Sequence, residues 1–147
     1  MEKIWIVAAD RVHARLFQAE NITGPLKEVR DMVNPESRLQ DRELMSDDAG
    51  RTAASGDGGR MQYSTYEEAS EKDHQARLFA KEIISELEKL RARGELERVH
   101  LLAEPGFLGE LREQYSRPLQ KCVASEVGKR ATERRPEEVR ELLPYRM

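Results

Sequence analysis

A chain of 147 residues is long enough to enclose one core and too short for two full domains. Charged residues make up 36% of it with a formal net charge of -3, so acids and bases are interspersed and no general affinity for nucleic acid follows from the total. A single cysteine, Cys122, excludes an internal disulfide and a cysteine-built zinc site, which fits a reducing compartment.

The opening KIWIVAAD is apolar and β-branched over the length of a buried strand. RVHA serves as the turn into ARLFQAE, so the two segments read as a hairpin. The apolar run from Ile4 to Ala9 ends in Asp10, far short of a signal peptide's core or a membrane span, and a cytoplasmic protein without membrane association is expected. NITGP supplies turn chemistry, and LKEVRDMV alternates imperfectly at Leu26, Val29 and Val33, as suits a more exposed third strand. Such an edge could pair with a second copy, so a homodimer is one expected partnership.

Residues 34–62 contain no aromatic residue and accumulate Asp, Arg, Ser and Gly, which predicts a long flexible loop. The strongest periodic signal follows: Ala76, Ala80, Ile83, Leu87 and Leu90 recur at alternating steps of four and three, the stripe of an amphipathic helix. Ser64 with Glu67 and Thr65 with Glu68 form capping boxes, and Gly94 is a stop, so the helix is predicted from about Tyr66 to Arg93. RVHLLAEP is a second buried strand, PGFLG a strand-to-helix turn, and FLGELREQY a short helix with Phe107, Leu108, Leu111 and Tyr115 on one face. KCVASEV is a fifth strand, which would make Cys122 a small core residue, and Pro136 begins a last helix through EEVRELL.

Three strands in a meander, then helix, strand, helix, strand, helix, define the expected architecture. Right-handed crossovers set the fourth and fifth strands parallel to the first, giving one α/β domain over 1–147 with a mixed five-stranded sheet ordered 3-2-1-4-5, the ribonuclease H-like order.

The run IWIVAADRVHARLFQAE, the third strand, the loop with GDGGR, the helix with KDHQARLFAKEI and the strand VHLLAEPGFLGELR together resemble the central domain of archaeo-eukaryotic class I peptide-chain release factors. More narrowly, with the ending VASEVGKRATERRPEEVRELL, the chain is similar to the bacterial stand-alone version of that domain, a family often labelled host-attachment proteins. The resemblance covers nearly the whole chain and lies in pattern more than in an invariant signature. It sets Gly58, Gly59 and Arg60 where those factors carry Gly-Gly-Gln, with Arg60 in place of the glutamine and Gln62 out of register. The resemblance therefore implies a binding module for ribosome or tRNA rather than peptide release, without a cofactor, and with His74 on the helix beside the loop as a possible RNA contact. The family label implies a different role, in host attachment or protein interaction.

The residues leave further chemistry open. Residues 117–147 hold eight Lys or Arg against five Glu (+3), leaving -6 for residues 1–116, so Arg130, Arg134 and Arg135 form a weak basic patch; together with Arg51 and Arg60 they could make salt-sensitive contacts to ribosome or tRNA phosphates. Asp10 and Glu104 end adjacent predicted strands, where a ribonuclease H-like nuclease would hold two divalent ions between paired carboxylates. The competing role for Asp10 is a turn-forming acceptor for the amides of Arg11 to Ala14. His13, in the hairpin turn, His74 and His100 have no spacing that joins them as ligands.

Overall fold

The apolar N-terminal run forms the middle of the sheet. The computed structural model describes residues 3–35 and 58–147, with backbone alone for 58–69. Strand β1 (Ile4–Ala9) pairs antiparallel with β2 (His13–Ala19), which pairs antiparallel with β3 (Leu26–Val33). On its other side β1 pairs in parallel with β4 (Arg98–Ala103), and β4 pairs in parallel with β5 (Val123–Val127). The order is β3-β2-β1-β4-β5, as the crossover argument requires. Every residue of β1 is buried because both faces of this strand are covered.

One face lies under helix α1 (Gly58–Ala92), whose buried stripe of Ala76, Phe79, Ala80, Ile83, Ile84, Leu87 and Leu90 packs on Trp5, Val7, Ala14, Leu16, Val99 and Leu101. Helix α2 (Pro105–Glu113) extends that layer through Phe107, Leu108 and Leu111, with the Phe79 and Phe107 rings stacked at 6.2 Å between centroids. The opposite face carries Ile4, Ile6, Ala8, Phe17 and Leu102 and is closed by the C-terminal segment, in which helix α4 (Pro136–Glu141) and its flanks contribute Ala131, Val139, Leu143 and Met147. Alternation along the strands sends successive side chains to the two faces, so each strand feeds both cores.

Several local expectations change. Helix α1 starts at Gly58 rather than near Tyr66, so Gly58, Gly59, Arg60 and Gln62 stand on helical backbone instead of in a loop, and the Ser64 and Thr65 boxes lie within the helix. The remainder of the predicted loop from residue 36 to 57, including Arg51, lies outside the described residues. His13 is the first residue of β2 rather than a turn residue. Pro105 opens α2 one residue after β4, with Glu104 between them, and Tyr115 lies beyond the helix end. A short helix α3 (Arg117–Cys122) takes the start of the expected fifth strand: the Ser116 side chain caps it by accepting from the Leu119 amide, and Pro118 fits its first turn. Cys122 therefore ends a helix, half-buried, with its thiol 3.5 Å from the Pro118 carbonyl. At the other end of α1, Gly94 adopts φ 72°, the left-handed stop its position predicts.

Candidate functional site

The carboxyl ends of the parallel strands, where open α/β sheets bring their loops together, define the first place to look. Asp10 follows β1 there. Its Oδ1 accepts hydrogen bonds from the amides of Val12 (2.8 Å) and His13 (2.7 Å), while Oδ2 accepts from the Thr132 hydroxyl at 2.8 Å and lies 3.6 Å from the Arg130 guanidinium. Both oxygens are thus occupied by the tight turn and by the loop after β5, the structural role that a short acceptor at such a turn provides. Glu104 follows the neighbouring β4, since Ala9 is directly opposite Ala103, but it is exposed and stands at the N-terminal cap position of α2 without a side-chain capping bond. The two carboxylates are adjacent strand-end residues with different employment. Among the described residues no group of three or more His, Cys, Asp or Glu is placed to hold a metal ion.

The basic residues of the same end are answered internally. Arg130 also lies 3.3 Å from Glu133, Arg134 lies 4.0 Å from Glu138, and Arg135 lies 3.1 Å from Glu138. Arg11, in the turn, pairs with Asp73 of α1 at 3.3 Å. His74, next along, is exposed. Asn34, just past β3, is buried and donates from Nδ2 to the Arg11 carbonyl, so the hairpin turn, the end of β3 and α1 meet here.

A cluster that sequence reading missed lies beside this end on the face of the C-terminal segment. The pairing of β2 with β3 shifts between Leu16, opposite Arg30, and Phe17, opposite Glu28, leaving Val29 as the extra residue of a bulge. That one-residue slip turns Glu28 to the same face as Arg15, whereas strict alternation would separate them. Arg15 then binds both Glu28 oxygens at 2.8 Å, lies 5.0 Å over the Phe17 ring, and donates to the carbonyls of Thr132 (3.1 Å) and Arg134. The Arg15 hydrogen bonds hold the Glu28 carboxyl down at about 2. Partial desolvation and the hydrogen bond to Glu28 push Asp31 upward, with His13 at 3.5 Å. The imperfect alternation of LKEVRDMV was the available signal for the bulge. Elsewhere, His100 is buried in β4 with Nδ1 2.5 Å from the Ser125 hydroxyl, and burial lowers its pKa.

A protein-family model for a "protein required for attachment to host cells" matches residues 5–143. The chain belongs to this host-attachment family. A search of curated proteins gives no match. The span that makes it a host-attachment family member runs from Trp5 in β1 to Leu143 beyond α4 and takes in both faces of the sheet. No helix among the described residues is long and apolar enough to cross a membrane.

In this host-attachment family chain, four of the five exposed large apolar residues among those described lie on β3 or next to it. Strand β3 ends the sheet order, and its outer edge has no strand neighbour among the described residues. Val29 and Val33 on it are 42% and 44% exposed, Val12 beside its end is 42% exposed and accepts the Asn34 amide, and Leu78 of α1 is 47% exposed. Between β3 and α1 runs a groove of about 470 Å³ whose walls combine Met32, Leu78 and Phe79 with the charged Lys81, Glu82, Glu86 and Lys89.

Proposed function

We propose that the protein is a non-enzymatic interaction module that docks another polypeptide along the β3 edge and the groove beside it. One observation carries the reading: of the five exposed large hydrophobic residues described, Val29 and Val33 lie on β3, which has no strand neighbour on its outer edge among the described residues, and Val12 and Leu78 lie beside it. An edge of that kind templates strand addition, with main-chain hydrogen bonds giving affinity and side-chain hollows giving selection. The family's description, attachment to host cells, agrees with a contact role. The proposed setting is the cytoplasm, on the strength of the single cysteine. Selection of a random peptide library on the protein is expected to enrich extended sequences of alternating apolar residues, and Val29→Lys with Val33→Lys is expected to abolish their binding. Peptides that bind equally well to the double variant would refute the proposal. Dimerisation lost in the same variant, measured by sedimentation, would identify a second copy as the strand donor.

Ribosome or tRNA binding is a second reading, favoured by the reach of α1. Its 35 residues extend about 52 Å, against about 20 Å for a six-residue strand, so the part before Asp73 continues past the sheet with Gly58, Gly59, Arg60 and Gln62 at its start. The arginines near that end, Arg130, Arg134 and Arg135, sit in exposed pairs that phosphates can displace. Salt-sensitive co-sedimentation with ribosomes, weakened by Arg60→Ala, is the expected result; sedimentation at background level would remove this reading.

A further inference from the structure

At the end of the sheet opposite the Asp10 turn, the helical cover stops short. Helix α1 closes at Ala92, and the chain turns at Gly94 to enter β4 beside Lys3, with the Glu97 amide bonded to the Lys3 carbonyl. The helix-side face of β2 and β3 is left open there. The register puts Trp5, Gln18 and Lys27 opposite one another across β1, β2 and β3, so the three form a row on that face. They border a hollow of about 560 Å³, completed by Lys3, Ala19, Glu20 and Glu95, the last with its carboxylate 3.4 Å from the Arg93 guanidinium.

The groups around it differ in how they are employed. The Trp5 indole N–H is spent on the Glu95 carbonyl at 2.9 Å, which fixes the ring as an apolar wall. The Lys3 ammonium is spent on the Gly94 carbonyl at 2.6 Å. The Gln18 amide, the Lys27 ammonium and the Glu20 carboxylate make no hydrogen bond or ion pair to any described residue, and Lys27 and Glu20, although they share the hollow, are not within 4.0 Å of each other. An apolar wall with a separated cation and anion and an amide between strands matches a small ligand that carries both charges and an apolar body. A simple anion would meet Glu20 and a simple cation would meet Lys27.

We propose that this hollow binds a free α-amino acid with an apolar side chain, its carboxylate on Lys27, its ammonium on Glu20 and its side chain against Trp5. Trp5 is the only tryptophan in the chain, so its emission reports the site directly. Titration of the full-length protein with L-leucine is expected to give a saturable change in Trp5 emission. Lys27→Met and Glu20→Gln, both at exposed positions that leave the cores intact, are each expected to weaken it about tenfold, the worth of one charge-assisted hydrogen bond. L-Leucinamide, which lacks the carboxylate, should bind the wild type as weakly as L-leucine binds Lys27→Met, and Lys27→Met should not distinguish the two. No saturable change with L-leucine, or a change that both variants leave intact, overturns the proposal.

Discussion

The two faces of the sheet are closed by different means. On the α1 face, a long regular helix lays one apolar stripe on the strands, and the contact is almost entirely aliphatic and aromatic. On the other face, the cover is mostly irregular chain, and arginines supply the hydrogen bonds that regular structure would have made for itself. Arg15 reaches the Thr132 and Arg134 carbonyls, Arg98 reaches Met147, and Arg140 reaches Gly24 at 3.1 Å, Pro144 at 2.9 Å and Tyr145 at 2.6 Å. Irregular backbone brought against a core must find partners for its carbonyls, and a guanidinium with five donors in a fixed fork serves several at once.

Substitutions on the two faces should therefore fail differently. Leu87→Ala, a cavity under the helix, is expected to cost the most, about 3 kcal/mol by urea unfolding, with the denaturant slope unchanged. Arg15→Met should cost about 2 kcal/mol because it strands Glu28 and two carbonyls together. Combined with Glu28→Gln it should cost clearly less than the sum of the two single changes; full additivity would show that the pair does not act as a unit. Arg140→Lys keeps the charge and loses the fork, at about 1 kcal/mol, and hydrogen exchange should quicken in residues 142–147 while the α1 face stays protected. An equal loss of protection on both faces would erase the distinction.

The response to pH sharpens it further, with smaller effects. Glu28 is held at about 2 in the folded chain against an ordinary 4.5, so its pairing contributes stability that is full above pH 4.5 and is lost as pH falls through about 2. Asp31 shifts the other way but is 57% exposed and screened by solvent, so Glu28 sets the sign. His100 lies below its ordinary 6.5, and its neutral form contributes stability that is full above that value and lost as pH falls through the lower folded one. Melting temperature should therefore decline as pH drops below about 6.5 and again below 4.5, and Arg15→Met should flatten the second decline alone.

Much of this architecture was legible in the residues. The β-branched runs, the stripe from Ala76 to Leu90 and the rule of right-handed crossovers suffice for the sheet order, because these signals are local or follow from chain handedness. The start of α1 was not legible, since Gly58 and Gly59 weigh against a helix and the capping boxes at Ser64 and Thr65 point to a later beginning. Helix α3 was announced by Ser116 and Pro118 but was hidden under the β-branched pattern that follows. The employment of Asp10 was legible in half: its turn amides lie two and three residues away, while Thr132 is distant in sequence and becomes a neighbour only through the fold. The Arg15 cluster was invisible because one bulge reverses which side Glu28 faces.

The bond from Thr132 to Asp10 spans 122 positions, and the carbonyls held by Arg15 are about as remote. During synthesis, then, the hairpin and α1 can assemble early, but Ile4, Ile6 and Phe17 must wait with one side bare until residues 131–147 leave the exit tunnel. Nascent chains arrested before residue 130 should be the forms that engage chaperones, and translational pausing while residues 131–147 are still to be made leaves that face exposed for longest.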